Sequence, residues 1–433
     1  MSHYSIDRRG FLRIGGAALT VGGAIAAPHV ARAAGQKVVV VGGGPAGATA
    51  AKYLKLGDPS LEVTLIEADP GYYTCFMSNE ALAGDRSVGS LEVGFGGLGK
   101  HGVKVVHDLV TGIDAAAKSV STKGGEKFAY DRCVVAPGID FNFDGVPGYS
   151  EAHIEKAPHA WKAGPQTILL RKQIEAMPDG GNFVMVAPPN PYRCPPAPYE
   201  RASLIAQYFK KHKPKSKVII LDPKDGFSKQ DLFQQAWTKF YGFGTPDSMI
   251  QWISGGKGGK AQKIDMTAMT VETEFDTFKA DVLNVIPPQK AGRIAFDAGL
   301  VEGAWASVSK DTMESKKAPG IHVLGDACDA ATMPKSGYSA NSQAKVAAAA
   351  IIAMLKGQPA PEPAYINACY SIAGPDHAFS VAGVYTYDRE KNAIAEVQGA
   401  GGLSRMDASD ADRKRELLYA HSWFDNIRAD CWG

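Results

Sequence analysis

The segment that most restricts the fold is KVVVVGGGPAGATAAKYLKLGDPSLEVTLIEAD, residues 37–69. Val38 to Val41 form a β-branched run suited to a strand buried on both faces. Gly42, Gly44 and Gly47 follow at the spacing of a dinucleotide-binding turn. Gly42 permits the tight turn, Gly44 lets the backbone approach a pyrophosphate, and Gly47 lets the next helix pack closely. That helix is Ala-rich, and its N-terminus offers partial positive charge to phosphate. A second strand, LEVTLIEA, carries Glu67 near its end, twenty residues past Gly47 and placed to accept from ribose hydroxyls. Strand, turn, helix, strand and acid stand in order, which makes the chain α/β in class.

Two later segments choose between flavin and nicotinamide. FAYDRCVVAPG, residues 128–138, resembles the strand ending in Ala-x-Gly, here Ala136 and Gly138, of flavoproteins with two dinucleotide domains. GIHVLGDACDA, residues 320–330, resembles their second FAD segment. There Asp326 is expected to hydrogen-bond the ribityl chain and Gly325 to give the backbone room to turn. A helix follows, and its N-terminus near Ser339 and Asn341 is expected to face the pyrimidine end of a flavin.

These segments define an expected organisation of two Rossmann-like dinucleotide-binding domains of the disulfide-reductase-like flavoprotein type, plus a C-terminal α+β domain. The FAD-binding domain is split between residues 34–145 and 286–345. A second, NAD-like domain occupies 146–285, and residues 346–433 form a C-terminal interface domain. In the second domain the strand Phe183–Ala187 runs into Pro188-Pro189-Asn190-Pro191-Tyr192-Arg193-Cys194-Pro195-Pro196, where a nicotinamide domain would carry a glycine-rich loop. Proline lacks the amide hydrogen a phosphate needs, and its ring blocks close approach. The domain is therefore expected to have lost NAD(P)H.

Residues 1–33 read as a twin-arginine signal peptide. Arg8-Arg9-Gly10-Phe11-Leu12-Arg13 precedes a weakly apolar stretch, and Ala31-Arg32-Ala33 suits cleavage. Residues 14–27 are too short and too glycine-rich for a membrane span. Cleavage after Ala33 removes four arginines and one aspartate, so the formal charge of +2 becomes −1. That balance gives no support for nucleic-acid binding, and no later segment is apolar enough to cross a bilayer. The expected location is the periplasm, reached by a chain already folded around its cofactor.

The six cysteines are Cys75, Cys133, Cys194, Cys328, Cys369 and Cys431. Their spacing is not that of a small disulfide framework, and no Cys-x-x-Cys pair suggests a metal. No Cys-x-x-Cys-His motif occurs, so this chain does not attach a c-type haem in the usual way. Cys75, in PGYYTCFMSN, lies where chains of this class pass the isoalloxazine. It is either a thioether link to the flavin or a structural thiol among aromatics. Cys194 adjoins Arg193, which is expected to lower its pKa. With Cys369 it forms either a redox disulfide beside the flavin, a structural staple, or two unrelated thiols. Glu200 is either a proton acceptor for that pair or a surface glutamate at a helix start. Cys133 and Cys328 read as structural. Trp423 and Trp432 read as packing residues, with a place between flavin and an electron acceptor as the alternative.

Taken together, the export signature, VVGGGPAGATAAKYL, YYTCFMSNE, YRCPPAPYERA, LGDACDAATMPKSGYSANSQAK and HSWFDNIRADCWG resemble the flavoprotein subunits of flavocytochrome c sulfide dehydrogenases. The resemblance covers essentially the whole mature chain. It implies FAD bound covalently through an 8α-cysteinyl thioether on Cys75 and a redox-active disulfide between Cys194 and Cys369. It implies oxidation of sulfide to polysulfide or elemental sulfur. It also implies a separate cytochrome c subunit, in a heterodimer or larger assembly, that holds the haem c and accepts the electrons. The alternative is a sulfide:quinone oxidoreductase. That class needs an apolar surface for docking to a membrane, and the last thirty residues here show no clear apolar stripe.

Overall fold

The computed structural model describes residues 35–433; the signal peptide expected over residues 1–33 lies outside the described residues. The chain enters as strand β1 (Lys37–Val41), turns into helix α1 (Pro45–Gly57), and returns as β2 (Glu62–Glu67) and then β3 (Lys104–His107). It next adds β4 (Arg132–Val135) on the other side of β1. It then leaves to build β5 (Asn182–Val186), α2 (Ala197–His212), β6 (Lys217–Leu221), α3 (Gln230–Tyr241), β7 (Ile250–Ile253) and β8 (Val282–Val285). It comes back with β9 (Ile321–Val323) and α4 (Gly337–Leu355). The antiparallel strands β10 (Ala364–Gly374), β11 (His377–Asp388) and β12 (Ala393–Glu396) and the long helix α5 (Asp410–Trp432) complete it.

Two parallel sheets result. The first has the order β9–β4–β1–β2–β3, the second β7–β6–β5–β8. Strand β9, from the returning segment, pairs with β4 through Ile321 and Cys133. Residues 139–141 and 289–291 pair antiparallel where the chain crosses between the sheets. The fold is thus α/β with two dinucleotide-binding-type units, followed by an antiparallel sheet and helix.

The glycine turn is sterically fixed. A Cβ on Gly42, whose φ is +98°, would lie 2.4 Å from the Ala136 carbonyl oxygen, and one on Gly47 would lie 1.9 Å from that of Gly42. Pro45 opens α1, where its missing N–H costs nothing. Val38, Val40 and Ala48 are fully buried, with Leu54 and Leu65, in one core that α4 closes through Ala344 and Ile351. Helix α5 starts at a capping box: Ser409 Oγ accepts from the Asp412 amide at 3.2 Å and Asp412 Oδ2 accepts from the Ser409 amide at 3.0 Å. Its far end docks on the first sheet's glycine turn, where Trp432 Nε1 donates to the Gly43 carbonyl at 2.9 Å and the indole stacks on Tyr72. Trp432 is thus a packing residue. No helix among the described residues is long and apolar enough to cross a membrane.

Candidate functional site

In an open parallel sheet the ligand crevice lies beyond the carboxyl ends of the strands, where the strand order reverses. Here β2 and β4 flank β1, and the segments after β1, β2, β4 and β9 converge on a cavity of about 610 Å³. Gly42, Gly44, Glu67, Ala136, Gly138, Gly325 and Asp326 all line it. Gly47 does not, because it is spent on packing α1 against the turn. Glu67 Oε2 accepts from the Gly43 amide at 2.6 Å, which holds the carboxylate at the sheet edge.

Whether these residues fit a flavin dinucleotide is tested by Asp326. Its Oδ1 is buried and has no hydrogen-bond partner among the described residues, on a wall of the cavity. A buried carboxylate oxygen without a partner is costly, and a hydroxylated chain lying in the cavity would satisfy it. Burial holds the Asp326 pKa above the usual carboxylate range, with Arg193 and Lys335 opposing. The residues fit.

Ser339 and Asn341 sit differently from the expected flavin contacts. Ser336 caps α4, accepting from the Ser339 amide at 3.0 Å, and Ser339 Oγ turns to Asn367 Oδ1 at 3.2 Å. Asn341 points back into the protein, donating to Thr49 Oγ1 at 3.0 Å and to Asp430 at 2.8 Å. One turn of helix carries its amide round to the α1–α5 seam. Cys431 lies there too, within 3.2 Å of Thr49 Oγ1.

A second, smaller cavity of about 70 Å³ adjoins the first. Cys75, Arg193, Asp326 and Gly337 line both. Cys194, Cys369 and Glu200 line the smaller one. Sequence elements far apart in the chain are thus brought together: Cys194 from the proline-rich loop after β5, Glu200 from the first turn of α2, and Cys369 from β10. Among the described residues all six cysteines are unbridged thiols, and no cluster of His, Cys, Asp and Glu is arranged for a metal. Cys133 and Cys328 are fully buried in the core.

The cavity wall is locally strained. Met77, Ala160 and Cys194 line it with φ of 63°, 44° and 57°, the left-handed region that side chains seldom occupy. The Cys194 amide donates to the Lys335 carbonyl at 2.7 Å, and this bond helps fix the loop. Such conformations persist where surrounding structure imposes them, often at functional sites.

Glu200 is not a surface residue. Its Oε2 accepts from Asn79 Nδ2 at 2.7 Å and its Oε1 from the Ile372 amide at 2.9 Å. Burial raises its pKa, against those two hydrogen bonds and Lys229. Arg193 does act to lower the Cys194 pKa, but the net shift runs the other way. Burial, with Cys75, Cys369 and Glu200, drives it well above the ordinary thiol value, and Arg193 offsets only part. Burial also raises Cys369, with Lys229 as the main opposing charge, and Cys75, with Arg193 opposing.

Several site residues carry no sequence signal. Arg201 is buried and bonds to Asn79 Oδ1, Asn284 Oδ1 and the carbonyls of His159 and Ala160. With these neutral partners, burial lowers its pKa to about 9. Lys335 Nζ donates to the Asp326 and Cys328 carbonyls, both at 2.8 Å. Trp423 lines the small cavity and meets Phe76 edge-on.

The second sheet's nucleotide position is filled with protein. Asp222, at the end of β6, accepts from Tyr199 Oη at 2.5 Å, Trp252 Nε1 at 3.0 Å and Lys224 Nζ at 2.6 Å. Phe227 stacks on Tyr199 at 3.5 Å between ring centroids.

Three family models match the chain. They are Pyridine nucleotide-disulphide oxidoreductase over residues 36–165, Sulfide dehydrogenase [flavocytochrome c] flavoprotein chain, central, over 167–287, and Flavocytochrome c sulphide dehydrogenase, flavin-binding, over 361–432. The sulfide dehydrogenase [flavocytochrome c] flavoprotein chain of Chlorobaculum thiosulfatiphilum is 54% identical over 44 residues, 10% of this chain and 92% of that sequence. The mitochondrial sulfide:quinone oxidoreductase of Mus musculus is 21% identical over 316 residues, 67% of this chain and 65% of the mouse protein's length. The crystal structure of the sulfide:quinone oxidoreductase of Aquifex aeolicus shares the fold, with TM-score 0.70 at 17% identity over 91% of this chain and 92% of that one. The chain belongs to the flavoprotein family of flavocytochrome c sulfide dehydrogenase, and it is a flavin-dependent oxidoreductase that takes FAD.

Proposed function

We propose that this flavoprotein oxidises sulfide to polysulfide or elemental sulfur through a Cys194–Cys369 disulfide, with FAD joined to Cys75 by a thioether and electrons passed to a cytochrome c subunit. The observation that carries the reading is the common wall of Cys194, Cys369 and Glu200, sharing Cys75 and Asp326 with the FAD-sized cavity. Hydrosulfide attacks one sulfur of the bridge, and the S–S bond breaks as a new one forms. One cysteine then carries a persulfide and the other a thiolate. Glu200, raised in pKa and held by Asn79 and Ile372, accepts the proton of the incoming sulfur. A second hydrosulfide attacks the outer sulfur, which leaves as polysulfide and returns the protein to its dithiol. Closing the disulfide again releases two electrons. Bound FAD supplies an acceptor for that pair which can pass electrons on singly.

Arg193 and Arg201 give the small cavity fixed positive charge, which favours an anionic substrate. The docking face for the cytochrome lies at the α5 surface, where Leu418 and Tyr419 are 61% and 54% exposed beside a cleft walled by Trp423. The chain is exported folded to the periplasm on its Arg8-Arg9 signature. The test is acceptor choice: with sulfide as donor, the purified complex reduces its own haem and added cytochrome c. Reduction of a soluble ubiquinone analogue without haem reduction would instead support the quinone-linked reading.

A further inference from the structure

Lys229 has no place in the reading above, yet it is buried directly behind the dithiol. It is 4% exposed, sits in the loop before α3, and takes a left-handed backbone with φ of 63°. Its Nζ donates to Ser371 Oγ at 3.0 Å and to the Cys369 carbonyl at 3.3 Å. Side chains two apart on a strand share a face, so Ser371 and Cys369 point the same way from β10. An ammonium resting on the Ser371 hydroxyl therefore lies on the Cys369 side of that strand. The centre of the Phe379 ring lies 5.8 Å from it. Among the described residues Lys229 makes no salt bridge, although Glu200 from α2 and Glu416 from α5 face it at longer range. A buried cation without a paired carboxylate is expensive, and the expense is recovered when an anion forms beside it.

We propose that Lys229 is a positioning residue whose ammonium stabilises the anionic sulfur that Cys369 carries once the disulfide opens, whether thiolate or persulfide. This rests on the redox-disulfide reading. The consequence is thermodynamic. A cation that favours the reduced, anionic state makes the couple a stronger oxidant, so the disulfide opens more readily to sulfide. The electrostatics agree in direction: burial lowers the Lys229 pKa while Cys369, Glu200 and Cys194 raise it, and Lys229 is the main charge opposing the rise at Cys369.

The test is equilibration of the holoprotein in glutathione buffers, with alkylation and mass spectrometry counting the free thiols at Cys194 and Cys369. In that exchange two glutathione thiols reduce the protein disulfide and leave as oxidised glutathione. Lys229→Met keeps the side-chain length and removes the charge, and it should shift the equilibrium roughly tenfold toward disulfide, about 30 mV for a two-electron couple. Lys229→Arg should restore most of the shift. Ser371→Ala, which removes only the anchor, should move it the same way by less, and it serves if Lys229→Met fails to retain flavin. Wild-type equilibrium in both Lys229→Met and Ser371→Ala, or equal shifts in the Met and Arg variants, would overturn the role of the charge. A wild type with no disulfide–dithiol couple at these two residues would instead overturn the redox-disulfide reading, and this inference with it.

Discussion

The amide of Cys194 donates to the carbonyl of Lys335 at 2.7 Å, and the ammonium of the same lysine bonds the carbonyls of Asp326 and Cys328. One residue thereby ties the proline-rich loop of the second sheet to the Asp326 turn of the first. That tie is why the thiol cavity and the dinucleotide cavity share a wall. It also holds Cys194 in a left-handed conformation that an isolated loop would leave, since the surrounding contacts must offset a strain of order 1–3 kcal/mol.

Glu200→Gln keeps the side-chain shape and one of the two acceptors that serve Asn79 and the Ile372 amide, but it cannot take a proton. Turnover should fall by roughly 10²-fold or more. Burial raises the carboxyl pKa, so in the wild type the basic form is present above that raised value, and kcat/KM falls as pH drops through it. The acid limb of the pH–rate profile should vanish in the Gln variant. An unchanged limb assigns the proton to another group.

Trp432→Phe should destabilise the protein by about 1–3 kcal/mol, because it strands the Gly43 carbonyl and thins the stack on Tyr72. Trp432→Ala should cost about 3–5 kcal/mol. Chemical denaturation measures the loss. The change in flavin absorption that reports loosening around the glycine turn should begin earlier in the same titration in both variants, since Gly43 belongs to that turn.

Cys75→Ala should fold and bind FAD, yet release it on acid precipitation, whereas the wild type should keep flavin fluorescence on a denaturing gel. Wild-type flavin that extracts freely shows that no thioether forms.

NADH should leave the flavin spectrum unchanged. Asp222 is satisfied by Tyr199, Trp252 and Lys224, and Phe227 occupies the space over Tyr199, so a nicotinamide nucleotide finds neither an acceptor nor room. Bleaching by NADH at stoichiometric concentration would contradict this.

The first sheet was legible because its signals are local: the Val38–Val41 run, the glycine spacing and Glu67 lie within one short stretch of chain. The loss of nicotinamide binding was legible as prolines, but the aromatic plug at Asp222 was not, since Tyr199, Phe227 and Trp252 meet only in the folded sheet. Likewise the cysteines could be named, while their common wall depends on how β10 crosses the β5–α2 loop. Asn341 shows the opposite limit: helix phase, which sequence position alone leaves open, turns it to Thr49 rather than to the cavity. Nothing in the sequence singles out Lys229 or Arg201, and only burial marks them.

The most direct test of the central claim is an anaerobic sulfide titration of the holoprotein followed by visible absorption. The account predicts that sulfide bleaches the wild-type flavin at near-stoichiometric amounts. Cys194→Ser and Cys369→Ser should keep bound FAD but lose the response, with turnover down roughly 10³-fold or more. Bleaching at wild-type rate in either serine variant would contradict it.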